Sequence, residues 1–330
     1  MTESALLSCP TDLGQVLVTG GTGFIGSAVV RALLGAGVSP AKTRVLSRRG
    51  LPEWMSAVGV RSVRADLPDP SGVDSAVAGV DTVLHLAAHV GSDPRRCDAV
   101  NIGGTRAILS AARRAGVRRT VQLSTSSVYG ESVHRGHREV EITPAPASAT
   151  SRSRLAAEEV ALGEGSIVLR PHLVYGAGDR WFVPTLARVL RAVPTWVDGG
   201  TALASLVAVD DLGAAIARLA DPAVDLEPGA ILHVNHPVPV SMRWLISSLA
   251  AWTGFPLPSG SLPRAEHRER TRRALPWLTD HQFSLFADDH YYDSTRIWTA
   301  TGVDPGPGPG VRLAAAAGWY RETLAGANSN

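Results

Sequence analysis

The chain has little cysteine, a single lysine and no long apolar run. Its two cysteines, Cys9 and Cys97, fall in no paired or metal-binding spacing. That excludes a disulfide scaffold and makes a reducing, cytoplasmic setting the expectation. No metal site is expected either. No apolar stretch approaches the roughly 20 residues of a membrane span. The early segment "SALLSC" is too short for a signal peptide and lacks a basic leader. A net charge of only +2 over 330 residues gives no basis for a nucleic-acid or membrane partner. Lys42 is the only lysine, so arginine carries nearly all the positive charge. There is no internal repeat. A small-molecule partner is expected, with the chain a monomer or homodimer.

What the sequence does have is a β/α alternation over its first half. "QVLVT" (15–19) is a short apolar β run, followed by "GGTGFIG" and the helical pattern "SAVVRALLGAG". "TRVLS" ends a second strand at Ser47, and "RSVRAD" and "DTVLHLAA" read as the third and fourth. Between these two, "PSGVDSAVAG" reads as a helix opened by Asp69 or Ser71. A long helix is expected over 98–116, a strand over 119–124, a helix over 151–163 and a strand over 166–170. This order predicts an α/β fold, a Rossmann-type doubly wound parallel sheet. Residues 1–170 would build it, with later crossover segments near 205–234. Residues 171–330 would form most of a smaller mixed C-terminal substrate domain. Helical pieces are expected there near 184–193, 209–220 and 240–252, with short strands near 205–209 and 230–234. Trp181, Trp196, Trp244, Trp252 and Trp277 gather in this half. Segment 261–292 reads as irregular, dense in Pro, Arg, His and aromatics, and is a candidate lid. "GVDPGPGPG" is a turn-rich loop before a last helix at 310–324.

The strongest motif is "VTGGTGFIG". Gly20 permits a tight turn, Gly23 lets backbone amides approach a pyrophosphate, and Gly26 lets helix and strand pack closely. Phe24 and Ile25 open the helix whose N-terminus faces the phosphates. The second strand ends in Ser47-Arg48-Arg49 rather than in an acidic residue. Two guanidinium groups suit a ribose 2′-phosphate, so NADP(H) is expected over NAD(H).

These motifs resemble the extended short-chain dehydrogenase/reductase family, which includes epimerases, dehydratases and 3β-hydroxysteroid dehydrogenase-like enzymes. "TGGTGFIG" is similar to the family's glycine motif, and Asp66-Leu67 stands where the family contacts adenine. "HLAA" (85–88), with Leu86, Ala87 and Ala88, matches its fourth-strand motif. "NIGGT" with Asn101, "STSSVYG" with Ser124, and "RPHLVYGAGD" with Pro171 and His172 match further landmarks beside the cofactor. "VAVDDLGAAI" and "YYDSTRIWTATG" match C-terminal ones. The resemblance thus runs the length of the chain.

The departures are as informative. The family's Tyr-x-x-x-Lys falls on Thr150 and Arg154, one turn apart on one helix face. An aliphatic hydroxyl is a far poorer acid than a phenol of pKa near ~10. Arg154 could still hydrogen-bond the nicotinamide ribose, but it is no copy of an ammonium. Thr125 keeps the family's Ser/Thr position. Ser126 and Ser127 replace the Asp-Glu that the resemblance implies for sugar dehydratases. His89 and His172 stand where the resemblance implies pocket-lining residues, and they are the candidate protein acids. Tyr129 and Tyr175, in "VYG" turns, are expected to be structural. Sugar epimerases of the family hold a diphosphate with an arginine, where this chain has Ala204-Ser205. The resemblance therefore implies an NADPH-dependent ketoreductase. The expected substrate is a ketone on an aromatic, angucyclinone-type polyketide of antibiotic biosynthesis, whose own phenol acts as the acid. Two alternatives stay open: a nucleotide-sugar or steroid-like ketoreductase with a histidine acid, and an NADP-binding regulator without catalysis.

Overall fold

The computed structural model describes residues 13–326, apart from 68, 254 and 256. Cys9 and the "SALLSC" segment lie outside the described residues. Five strands open the chain: β1 (Val16–Thr19), β2 (Thr43–Ser47), β3 (Arg61–Arg64), β4 (Thr82–His85) and β5 (Arg119–Leu123). Then come β6 (His134–His137), β7 (Ile167–Arg170) and β8 (Leu173–Tyr175). β9 (Trp196–Val197), β10 (Leu203–Ala204), β11 (Leu206–Ala208) and β12 (Ile231–His233) follow. The last are β13 (Val240–Ser241), β14 (Ser261–Leu262) and β15 (His290–Tyr292).

The main sheet has the order β12-β7-β5-β4-β1-β2-β3. All its pairings are parallel. Every residue of β1, β4 and β7 is buried, as a sheet covered by helices on both faces requires. Their continuous Val, Leu and Ile runs follow from that. Helices Phe24–Gly35 and Val209–Arg218 cover one face together. They touch backbone to backbone, because a Cβ on Gly213 would lie 2.9 Å from the Ala28 carbonyl carbon. Strand order reverses at β1 and β4, so a crevice opens at their C-terminal ends. The structure is a Rossmann-like doubly wound fold.

A second sheet, β13-β10-β15-β6, stands apart. It is mixed: β10 runs antiparallel to β13 and parallel to β15, which runs parallel to β6. It recruits His134–His137 from the first half of the chain, a strand with no apolar residue to announce it. β11 pairs with β8 outside both sheets, and β12 returns to the edge of the main sheet.

Two sequence expectations need correction. The helix expected at 98–116 is three pieces: Pro94–Cys97, a π-helical turn Asp98–Gly103, and Gly104–Arg114. Asp93 caps the first, accepting hydrogen bonds from the Arg95 and Arg96 amides. Segment 261–292 is also not irregular. It holds β14, helices Arg264–Ala274 and Asp280–Ala287, and β15. The first helix carries Glu266–Arg270 and Glu269–Arg273 pairs one turn apart, which support a helix with almost no apolar face. The second starts at a capping box of Thr279 and Gln282. Phe283, fully buried with Val189, Val197, Leu278 and Ala287, anchors it to the core. Among the described residues, no helix is long and apolar enough to cross a membrane.

Candidate active site

The turn after β1 explains its glycines atom by atom. Gly20 has φ +67°, and a Cβ there would lie 2.8 Å from the Ala87 backbone. A Cβ on Gly26 would lie 2.1 Å from the Gly20 carbonyl oxygen. Both positions exclude any side chain. Gly23 differs. Its Cβ would meet only the Gly20 carbonyl oxygen, at 3.2 Å, within 4 Å. That face of the turn is open and suits a group brought close to the backbone. The helix beginning at Phe24 and Ile25 has no side-chain cap at its N-terminus, so its first amides are free to bind an anion. Phe24 lies under Gly178, whose Cβ would be 3.0 Å from the ring.

At the end of β2 the three candidate residues separate. Ser47 is buried and its hydroxyl donates to the Gly50 carbonyl at 2.8 Å. It closes the turn on which Arg48 and Arg49 stand, both exposed. Asp66 is exposed, and its Oδ1 accepts from the Leu67 amide at 3.1 Å. Leu67 is buried against Gly104. Leu86 is buried, while Ala87 and Ala88 are partly open at the crevice.

Asn101 sits in the π-helical turn and ties the next loop down. Its Oδ1 accepts from the His89 amide at 2.7 Å. Its Nδ2 donates to the His89 carbonyl at 3.0 Å and to Ser153 Oγ at 2.8 Å. An extra residue per turn re-aims such a side chain, as π-bulges commonly do at functional sites. The His89 ring folds over Gly91, whose Cβ would be 2.9 Å from Nε2.

Helix Ala149–Gly163 places Thr150 and Arg154 together, with different engagements. Thr150 Oγ1 donates to the Gly91 carbonyl at 2.9 Å and accepts from the Gly91 amide at 3.0 Å. It clamps the loop after β4. Arg154 is buried and donates from Nη2 to the Leu123 carbonyl at 2.6 Å. Burial pushes its pKa down to about 10, opposed by the Glu158 carboxylate. Its Nε has no partner.

Around the end of β5, Ser124 Oγ is buried without a partner. Thr125 caps the short turn Ser126–Tyr129, its hydroxyl accepting from the Ser127 amide at 3.1 Å. Ser126 is buried, its Oγ 2.7 Å from His172 Nδ1. The Ser126 amide also donates to the Pro171 carbonyl at 2.9 Å, joining the ends of β5 and β7. The His172 amide donates to Asn235 Oδ1 at 2.8 Å, and its Nε2 is buried without a partner. Burial, then the neighbouring His290, His281, His134 and His233, hold its pKa well below the usual imidazole value.

Tyr129 and Tyr175 are buried in core positions. Tyr129 Oη lies 2.6 Å from His233 Nε2 and accepts from Arg170 Nη1 at 3.0 Å. Burial raises its pKa to about 12, more than Arg170 lowers it. Sequence reasoning missed the partners of this network. His134, His233, His290 and Tyr292 converge from β6, β12 and β15, which are up to 158 residues apart. Isolated histidines on short polar strands give no periodic signal for that convergence.

The tryptophans do not share one pocket. Trp196 belongs to the core and lies under Arg243. Trp181 and Trp277 are exposed, the latter under Arg188. At the position of the epimerase arginine, Ala204 and Ser205 are buried. Ser205 Oγ accepts from the Tyr292 amide at 3.0 Å, so neither of these two residues brings a charge to a diphosphate.

A doubly wound parallel sheet with an open glycine turn at its switch point defines a dinucleotide-binding protein of the Rossmann class. Residues 16–234 match the NAD dependent epimerase/dehydratase family, and the chain belongs to that family of extended short-chain dehydrogenases/reductases. It is 34% identical over 269 residues to the 2-alkyl-3-oxoalkanoate reductase of Stenotrophomonas maltophilia (strain K279a), covering 73% of this chain and 76% of that protein. It is 28% identical over 267 residues to the 4-hydroxy-2-methyl-3-oxo-4-farnesyl-3,4-dihydroquinoline-1-oxide ketoreductase of Stigmatella aurantiaca, covering 76% of each. Among solved structures, the dTDP-glucose 4,6-dehydratase DesIV from Streptomyces venezuelae, with NAD and TYD bound, superposes with a TM-score of 0.72. The two are 26% identical, over 94% of this chain and 98% of that one. The residues present fit the nicotinamide dinucleotide that the family name implies. Gly23 leaves an open approach to the backbone, and Ser124 Oγ, Arg154 Nε and His172 Nε2 are buried polar atoms still lacking partners.

Proposed function

We propose that this protein is an NADPH-dependent ketoreductase acting on a ketone of a polycyclic aromatic, angucyclinone-type polyketide, in antibiotic biosynthesis. In this reading the substrate's own phenol supplies the proton. The observation that carries it is Thr150. At the place of the usual phenol stands a hydroxyl already committed twice to the Gly91 backbone. The reductase and ketoreductase relatives support ketone reduction. The serines at 126 and 127 argue against dehydration, and the absence of an arginine at Ala204-Ser205 argues against a nucleotide sugar.

The roles follow from position. The turn Gly20–Gly26 and the uncapped amides of its helix hold the pyrophosphate. Arg48 and Arg49 receive the 2′-phosphate, held out by the turn that Ser47 closes. Asp66 and Leu67 flank the adenine, and Leu86, Ala87 and Ala88 line the passage between them. Arg154 Nε donates to the nicotinamide ribose, and Ser124 and Thr125 face the substrate carbonyl. When bound, the cofactor supplies the hydride. The carbonyl oxygen then gains charge and needs a donor. A phenol peri to the ketone is already in hydrogen-bonding position, so little entropy is lost in placing it. It yields a delocalised phenolate.

The test pairs 1-hydroxyanthraquinone with its 1-methoxy counterpart, following NADPH oxidation. The hydroxy compound should turn over at least ~10²-fold faster, the low end of what a general acid contributes. Equal rates would sink the phenol's role. No oxidation with either would favour a binding protein without catalysis.

A further inference from the structure

Of the tryptophans, Trp181 is the most exposed, at 66%. A lone exposed apolar residue needs no explanation in itself, but two features set this one apart. The first is that its indole is unengaged. Among the described residues it belongs to none of the buried apolar clusters and has no ring or cation contact. Trp54, Trp196 and Trp277, by contrast, each lie under a guanidinium group.

The second is that the turn carrying it is fixed from several sides. Asp179 is buried, and its Oδ1 accepts from the Trp181 amide at 2.8 Å and the Phe182 amide at 2.9 Å. Its Oδ2 accepts from the Val183 amide at 2.9 Å and from Tyr320 Oη at 3.2 Å. Tyr320 Oη in turn accepts from the Gly176 amide at 2.9 Å. Gly176 has φ +134°, and a Cβ there would lie 2.8 Å from Val209 Cγ1. Gly178 has φ +101° and presses on the Phe24 ring. The turn therefore lies across the first residues of helices Phe24–Gly35 and Val209–Arg218, beside the glycine turn. Just past Trp181, Val183, Leu186, Ala187 and Leu190 enter the core of the second half of the chain. The indole thus stands between the dinucleotide turn and that second half. Its backbone has already lost the freedom that binding a ligand would otherwise take away.

We propose that the Trp181 indole is a platform on which the flat ring system of the substrate stacks, and so a residue that sets specificity for fused aromatic ketones. This deepens the ketoreductase reading and rests on it. The electron-rich face of an indole suits an electron-poor, quinone-type ring, in an offset stack with centroids about 4.5–7 Å apart. Stacking removes apolar area of both partners from water, and that burial drives it. A π-face reads flatness and not the pattern of oxygens. Trp181 therefore selects the ring system, while the groups at the ends of β5 and β7 address the ketone.

The experiment titrates 1-hydroxyanthraquinone by its own visible absorption, with NADP+ present and no turnover. In Trp181→Ala its Kd should rise about tenfold, the scale of an aromatic stack. Trp181→Phe should restore most of the affinity and Trp181→Leu should not. In steady state the loss should fall on KM and leave kcat nearly unchanged. NADPH affinity and Tm should hold in all three variants, because Asp179 binds the backbone amide at 181, which each of them keeps. An unchanged Kd in Trp181→Ala overturns the platform, as does Trp181→Leu binding as tightly as the unaltered protein. A change of oligomeric state in Trp181→Ala, read by light scattering, would assign the indole to a subunit interface and overturn it too. Quinone binding that depends on Trp181, without NADPH oxidation by the unaltered protein, supports the platform and overturns the reductase reading beneath it.

Discussion

At the scale of the residue, Thr150 and Arg48 make opposite predictions. Thr150 occupies the position of a catalytic phenol but spends its hydroxyl on both backbone groups of Gly91. Thr150→Ala should therefore cost about 1 kcal/mol of stability for each hydrogen bond lost. Its turnover should drop far less than the ~10²-fold expected for a general acid. Denaturation and steady-state kinetics on the same sample would separate the two, and a drop of acid size would restore Thr150 to the chemistry. Arg48 is exposed beside a turn closed by Ser47. A charge-assisted bond to a 2′-phosphate is worth ~1.5–3 kcal/mol. Arg48→Ala should then weaken NADPH about tenfold or more and leave NADH nearly unaffected. Equal loss for both cofactors, read by fluorescence titration, would remove the 2′-phosphate from the reading.

At the scale of the element, much was legible and some was hidden. The strands of the main sheet announce themselves as runs such as Val16-Leu17-Val18, because both faces of a parallel sheet are buried. The glycine turn is legible because Gly20 and Gly26 admit no Cβ. The π-helical turn at Asp98–Gly103 was not, since one inserted residue leaves the apolar period almost unchanged. Nor was β6, whose His-Arg-Gly-His sequence is fixed by pairing with β15 and not by its own preference. The Arg170–Glu158 pair was hidden in the same way. Neither residue declares a partner in sequence, yet both are buried and bonded, Arg170 Nε lying 3.1 and 3.2 Å from the two Glu158 oxygens. This pair clamps helix Ala149–Gly163, which carries Thr150 and Arg154, onto β7. Glu158→Gln would leave a buried guanidinium uncompensated, at a cost of about 3–5 kcal/mol. Urea denaturation should show that loss, and a shift below ~1 kcal/mol would mean solvent reaches the pair. The helices within 261–292 give a different test. Phe283 is fully buried, so its helix should exchange amide hydrogens slowly with or without ligand. Helix Arg264–Ala274, mostly exposed, is the part that should slow when NADPH and 1-hydroxyanthraquinone bind. Identical exchange across 264–274 would end the lid hypothesis.

At the scale of the whole molecule, the buried histidines set how stability depends on pH. His85 is fully buried between Thr19 Oγ1 at 2.6 Å and Thr105 Oγ1 at 3.0 Å. Burial, then the nearby Arg154 charge, lowers its pKa to about 3. His134 and His233 are both lowered to about 4, burial being the main cause in each. In the unfolded chain all three titrate near ~6.5. Between these values the unfolded state binds protons that the folded state refuses. The stability contributed by keeping these rings neutral is therefore complete above about pH 6.5 and is lost as pH falls towards 4. Each ring contributes a slope of up to ~1.4 kcal/mol per pH unit within that window. Above pH 5 most carboxylates are still ionised, so histidines dominate the interval from 6.5 to 5. Calorimetry across that interval should show Tm falling steeply with acidification, and unfolding at pH 5 should take up about three protons from these rings alone, with His172, also held low by burial, adding to them. His85→Gln should flatten part of the slope, since an amide can donate to one threonine and accept from the other without titrating. A Tm that is level from pH 6.5 to 5 would mean the imidazoles are already charged in the folded protein.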